Sequence, residues 1–195
     1  MRVVITGGAG YLGQCLARGI LRRGALRSHK PSGEELTKVS SIVLADRAEP
    51  ARWHHEELRS KTELKIGDIG DAAFVDGLLA DATDVSIFHM GAVMSGDGER
   101  DFDGCMRTNL HGTINVLEAA RRAPGRPKVV YASAGATLGA GAPTDWVTAD
   151  DVVGDFSRAT PHTTYGATKA CGELLLADYS HLDQKWKLKH QIPAP

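Results

Sequence analysis

Residues 2–13 read RVVITGGAGYLG, and the architecture of the chain turns on them. Arg2 to Thr6 is a β-branched run that passes straight into glycines, the pattern of a buried strand. From Tyr11 to Arg23 the spacing becomes helical, with Leu12, Leu16, Ile20 and Leu21 recurring on one side. Gly7, Gly10 and Gly13 therefore lie between a strand and a helix. A tight turn, a close backbone approach and close helix–sheet packing call for glycine at such places. The helix start offers free N–H groups and the positive end of a dipole, which suits the pyrophosphate of a dinucleotide. No Gly-Lys-Ser/Thr follows, so the loop is not that of a nucleoside-triphosphate site.

Outward from this segment, strand-like and helix-like runs alternate. Residues 41–45 (SIVLA) read as a second buried strand and residues 64–66 as a weaker third. Residues 71–81, with Phe74, Val75, Leu78 and Leu79, read as a helix, and residues 85–90 as a fourth strand. A long helix over 101–122, a fifth strand over 128–132, a loop over 135–161 and a last helix over 164–180 complete the series. This alternation predicts an α/β fold, a Rossmann-type doubly wound parallel sheet with helices on both faces. Ligands of such sheets sit at the carboxyl ends of the strands. Residues 24–40 read as a polar insertion forming a surface loop. Residues 1–180 form the expected domain, and residues 181–195 read as an atypical, flexible tail.

Composition narrows the function classes. The 195 residues hold 23 Lys and Arg against 24 Asp and Glu, a net charge of −1, without the basic excess of a nucleic-acid binder. No apolar run nears the ~18 residues of a membrane span, and the apolar run at the N-terminus is too short for a signal peptide. Three scattered cysteines, Cys15, Cys105 and Cys171, argue for a reducing, cytoplasmic setting rather than a disulfide scaffold.

Two further constellations carry chemistry. Asp46 closes the second strand, where dinucleotide folds place an acid that accepts hydrogen bonds from the adenosine ribose. Its separation from Gly13 exceeds the usual ~20 residues because of the 24–40 insertion. A carboxylate there repels a 2′-phosphate and so favours NAD over NADP. Tyr165 and Lys169 stand four apart, on one face of a helix. A nearby ammonium lowers a tyrosine pKa and readies it for proton exchange with an alcohol or carbonyl.

Together these residues resemble the short-chain dehydrogenase/reductase superfamily in its extended, NAD-dependent epimerase/dehydratase branch. Thr6 to Gly13 looks like the TGxxGxxG loop of that branch, which implies cofactor contacts at Gly7, Gly10, Tyr11, Leu12 and Gly13. Asp68 and Ile69 look like its adenine-side pair. His89-Met90-Gly91-Ala92 looks like the segment beside the cofactor, and Asn109 looks like part of its N-x-x-G-T helix. Tyr165 and Lys169 look like its YxxxK, implying proton transfer by Tyr165 and ribose binding by Lys169. Residues 92–103 and 172–179 are similar to the D-erythronate dehydrogenases within the branch. Counting back from Gly139 puts Ala134 where the resemblance implies a serine; a one-residue shift would make Ser133 the catalytic hydroxyl.

The resemblance implies an oxidoreductase or epimerase that moves a hydride between nicotinamide and a secondary alcohol of a sugar acid or nucleotide-sugar-like small molecule. Family members continue beyond the YxxxK helix, and residues 181–195 do not resemble that continuation. The chain thus reads as the NAD-binding part, with the C-terminal substrate lobe missing. The alternative is a non-catalytic NAD-binding fragment or the partner of a full-length relative. The implied dimer, a homodimer or a pairing with such a relative, runs through the 101–122 and 164–180 helices. His54-His55 lacks companions at ligand spacing and reads as a solvated helix face, so no metal site is expected. Cys105 and Cys171 read as small core residues, and Trp146 as a loop aromatic either over substrate or exposed.

Overall fold

The computed structural model describes residues 1–27, 36–80, 83–125, 127–141 and 161–189. Trp146, residues 28–35 of the insertion and the end of the tail (190–195) lie outside the described residues. The elements are β1 (Arg2–Thr6), α1 (Tyr11–Arg23), β2 (Ala25–Arg27), β3 (Leu36–Lys38), β4 (Ser41–Asp46), α2 (Glu57–Lys61), β5 (Glu63–Ile66) and α3 (Ala72–Leu79). They continue as β6 (Val85–His89), α4 (Ser95–Arg100), α5 (Phe102–Cys105), a π-helical stretch Met106–His111, α6 (Gly112–Arg122), β7 (Lys128–Tyr131), a 3-10 segment Gly135–Gly141 and α7 (Thr164–Lys189).

Five strands form one sheet in the order β5-β4-β1-β6-β7, every pairing parallel. β1 sits at its centre because its side chains are apolar on both faces. Val3 and Ile5 join Ala17 and Ile20 of α1, Ile42, Leu44 and Leu58 in one core cluster. Val4 points the other way, to Val43, Ala45, Val75, Leu78, Ile87 and Val116 beneath α3 and α6. Alternate residues of one strand therefore anchor opposite helical layers, as the doubly wound reading requires.

Three expectations are corrected. The 24–40 insertion is not simply a loop: β2 and β3 pair antiparallel within it, Leu26 opposite Thr37. The last helix does not stop at 180. It runs to Lys189, because HLDQKWKLK contains no glycine or proline to break it. Cys171 is exposed, unlike buried Cys105. The buried face of α7 carries Tyr165, Thr168, Lys169 and Gly172, which leaves 167, 171, 174 and 178 on the opposite side.

The helix expected over 101–122 is continuous from Phe102, with helical backbone at both junctions of its π-helical stretch. A π turn inserts a residue and re-aims its neighbours. Here Asn109, inside that stretch, and Thr113, soon after it, are both buried, Asn109 against Val93 and Thr113 against His89 at the end of β6.

Candidate functional site

The site begins where β1 ends. Gly7 adopts φ +68, and a Cβ there would lie 2.8 Å from the Gly91 nitrogen. A Cβ on Gly13 would lie 2.3 Å from the Gly7 oxygen, inside the turn itself. Both positions therefore exclude any side chain. Gly10 is the N-cap of α1, and no side chain caps the helix. The first N–H groups of α1 thus face out beside Tyr11 and Leu12, which are 62% and 64% exposed. A crevice floored by glycine backbone and headed by an uncapped helix start fits the pyrophosphate of a dinucleotide.

Asp46, at the end of β4, stands on the same rim. Its Oδ2 accepts from Ala9 N at 3.0 Å and its Oδ1 from Arg47 N at 2.8 Å. A carboxylate has about four acceptor sites, so both oxygens retain capacity for ribose hydroxyls. Asp68 accepts from Gly70 N at 2.8 Å and lies 3.5 Å from the Arg107 guanidinium. Ile69 is buried; its side chain fills the space between Gly112 and Gly91 and thereby supports the crevice from below.

A relay of polar groups missed in the sequence ties the strand ends together. Met90 N and Gly91 N both donate to Thr6 Oγ1, at 3.2 and 3.1 Å. The single Thr6 proton then goes to His89 Nδ1 at 2.7 Å. On the far side of the ring, Thr113 Oγ1 donates to the Asn109 carbonyl at 2.6 Å. It is therefore left to accept from His89 Nε2–H at 3.0 Å. Counting protons fixes His89 as the neutral Nε2–H tautomer. Burial, and secondarily the Lys169 charge, depress its pKa to about 3, so it stays neutral. The signal in the sequence was a histidine ending a strand, VSIFH, that is apolar but for Ser86.

Asn109 holds the chain beyond β6. It is buried, and its amide accepts from Val93 N at 2.7 Å and donates to Val93 O at 3.0 Å. This two-point grip fixes the segment holding Met90, Gly91 and Ala92. Both ends of the Asn109 amide are thus engaged with the Val93 backbone.

Tyr165 and Lys169 share the buried face of α7. Lys169 Nζ donates to the Ala132 carbonyl just beyond β7 at 2.6 Å. It lies 4.7 Å from the centroid of the Tyr131 ring and 5.9 Å from that of Tyr165. The Tyr131 ring in turn lies 5.6 Å from that of His89. Thr6, His89, Tyr131, Lys169 and Tyr165 therefore form one line of contacts across the carboxyl ends of β1, β6 and β7.

Burial brings the Lys169 pKa down to about 8. Tyr165 does not show the expected depression. Burial, with a smaller contribution from Cys105, raises its pKa, because the ammonium is directed at Ala132 and Tyr131. Ser133 is exposed and its hydroxyl is hydrogen-bonded to Glu173, two turns along α7 from Tyr165. The described contacts thus engage Ser133 with Glu173, and Ala134 offers no hydroxyl in its place.

The histidine pair is not a helix face. His54 meets the Tyr11 ring edge-on at 5.0 Å, and His55 Nε2 lies 3.9 Å from Cys15 Sγ. No group of metal ligands occurs among the described residues, and no helix among them is long and apolar enough to cross a membrane.

Comparison with known proteins follows the same line. The sequence profile of the NAD dependent epimerase/dehydratase family matches residues 3–187. D-erythronate dehydrogenase of Cupriavidus necator is 37% identical over 180 residues, covering 92% of this chain and 51% of that protein. UDP-glucose 4-epimerase of Mycolicibacterium smegmatis is 35% identical, covering 93% and 52%. Among solved structures, the nucleoside-diphosphate-sugar epimerase of Agrobacterium tumefaciens superposes with a TM-score of 0.70 at 31% identity, over 93% of this chain and 49% of that one. UDP-glucose 4-epimerase of Brucella ovis in complex with NAD gives 0.69 at 25% identity, over 92% and 47%. The chain spans about half the length of the curated relatives it matches.

Proposed function

Because the chain belongs to the NAD dependent epimerase/dehydratase family, we propose that it carries the cofactor-binding and proton-transfer elements of an NAD-dependent oxidoreductase acting on a secondary alcohol of a sugar acid. The observation that carries this reading is the line of contacts from Thr6 through His89, Tyr131 and Lys169 to Tyr165. It sets a tyrosine–lysine pair beside the glycine crevice, at the strand ends where such sheets hold ligands.

NAD, when bound, supplies a hydride acceptor at its nicotinamide ring. The chain's own residues do the rest. Gly7, Gly10 and Gly13 with the start of α1 hold the pyrophosphate, and Asp46 accepts from the adenosine ribose. Met90, Gly91 and Ala92, fixed by Thr6 and Asn109, form the wall opposite the glycine loop. Tyr165, once ionised to the phenolate, takes up the alcohol proton at its phenolic oxygen. Lys169 reaches the nicotinamide-side ribose and, when its ammonium turns from Ala132 toward Tyr165, lowers the phenol pKa. The sugar-acid assignment rests on the similarity to D-erythronate dehydrogenases.

The test is reduced-nicotinamide formation from NAD and D-erythronate. Turnover that falls by about 10²-fold or more in Tyr165→Phe supports the reading. Turnover unchanged in that variant contradicts it. A second reading, an NAD-binding unit without turnover that pairs with a longer relative, is favoured by Ala134 and by the Ser133–Glu173 contact. Tight NAD binding without turnover in both the native chain and Ala134→Ser would select it.

A further inference from the structure

Gln14 follows the last glycine of the loop and is fully buried. A buried amide in the first turn of an otherwise apolar helix face calls for partners, and Gln14 has three. Its Nε2 donates to the Ala9 carbonyl at 2.8 Å and to the Arg52 carbonyl at 3.0 Å. Its Oε1 accepts from His54 N at 2.9 Å. All three partners are backbone groups, and two belong to the segment after Asp46. The same segment touches the glycine loop again where the His54 ring meets Tyr11.

Ala9 is thereby gripped at both of its backbone groups, its N–H by Asp46 and its C=O by Gln14. We propose that Gln14 is a positioning residue that latches residues 46–54 onto the glycine loop and so sets the discrimination between a 2′-hydroxyl and a 2′-phosphate on the cofactor's adenosine ribose. The inference rests on the NAD reading above. Asp46 repels a phosphate only while its carboxylate is held in place. Arg47 and Arg52 are exposed in the same segment. Once the latch is gone, Asp46 gives way and these guanidiniums are free to meet a phosphate.

The experiment is calorimetric titration of the native chain, Gln14→Met and Gln14→Glu with NAD and with NADP. Gln14→Met keeps the length and removes every hydrogen bond; Gln14→Glu keeps only the acceptor for His54 N. The expected result is NAD affinity about tenfold weaker in Gln14→Met, NADP weakened less or strengthened, and Gln14→Glu in between. A role confined to folding would weaken both nucleotides by the same factor. That result, or unchanged affinities, overturns the inference while leaving the NAD reading intact. A native chain that binds neither nucleotide overturns both.

Amide exchange at His54 in the native chain keeps the test open if the variants do not fold. Protection that deepens with NAD supports the latch, and exchange at the unprotected rate overturns it.

Discussion

Thr6 Oγ1 and His89 Nδ1 lie 2.7 Å apart, joining the last residues of two neighbouring parallel strands by their side chains. The bond spends the only proton of a hydroxyl that already accepts from Met90 N and Gly91 N. It works only with His89 neutral, which links acid stability to the architecture of the site.

In the folded chain the His89 pKa is about 3, against 6.5 for the free side chain. The unfolded chain therefore binds a proton that the folded chain refuses between those values. Stability from this group is complete above pH 6.5 and is lost as pH falls toward 3. By pH 5 the loss is about 2 kcal/mol. In His89→Asn, chemical denaturation from pH 7 to pH 5 should show a shallower loss of stability than in the native chain.

Gly7→Ala should fail twice over. An L-residue at φ +68 is strained, and its Cβ would fall 2.8 Å from the Gly91 nitrogen. The expected cost is about 1–3 kcal/mol, with loss of detectable NAD binding, measured by thermal unfolding and titration. Gly19→Ala is the control, since nothing lies within 4 Å of its added Cβ.

Much of this was legible in the sequence, for a physical reason. Strands buried on both faces leave long apolar runs, so residues 2–6, 41–45 and 85–90 announced a parallel sheet, and the glycines after the first marked where backbone must pass close. What was not legible was side-chain pairing across distance. Gln14, His89 and Thr113 are ordinary letters until the fold brings Gln14 to Arg52 and sets His89 between Thr6 and Thr113. Asn109 stands out by its motif, but the π turn that aims it at Val93 leaves no trace in composition. The hairpin of Ala25–Arg27 and Leu36–Lys38 escaped because three-residue strands carry too little periodicity.

Asn109→Ala should leave the Val93 N–H and C=O unpaired. About 2–3 kcal/mol of stability should go with them. NAD affinity should fall as the Met90–Gly91–Ala92 wall loosens. Asn109→Asp retains the acceptor but loses the donor, and should lie between the two.

Lys169 titrates near 8 in the folded chain against 10.5 when free, so the folded state gives up its proton first. Burying the ammonium costs stability at every pH below about 8, and that cost fades as pH rises toward 10.5. Lys169→Met should therefore be more stable than the native chain at pH 7, by at most about 3 kcal/mol. The difference should disappear by pH 10.5 and be accompanied by loss of turnover. Denaturation curves at the two pH values check it.

We propose the glycine crevice with Asp46 as an NAD site. Its most direct test is the thermal unfolding of the chain with NAD, with NADP alongside. At 100 times its dissociation constant, NAD should add about 2.7 kcal/mol of stability, with a smaller shift from NADP. A cooperative transition that neither nucleotide moves would show that the crevice is not a dinucleotide site.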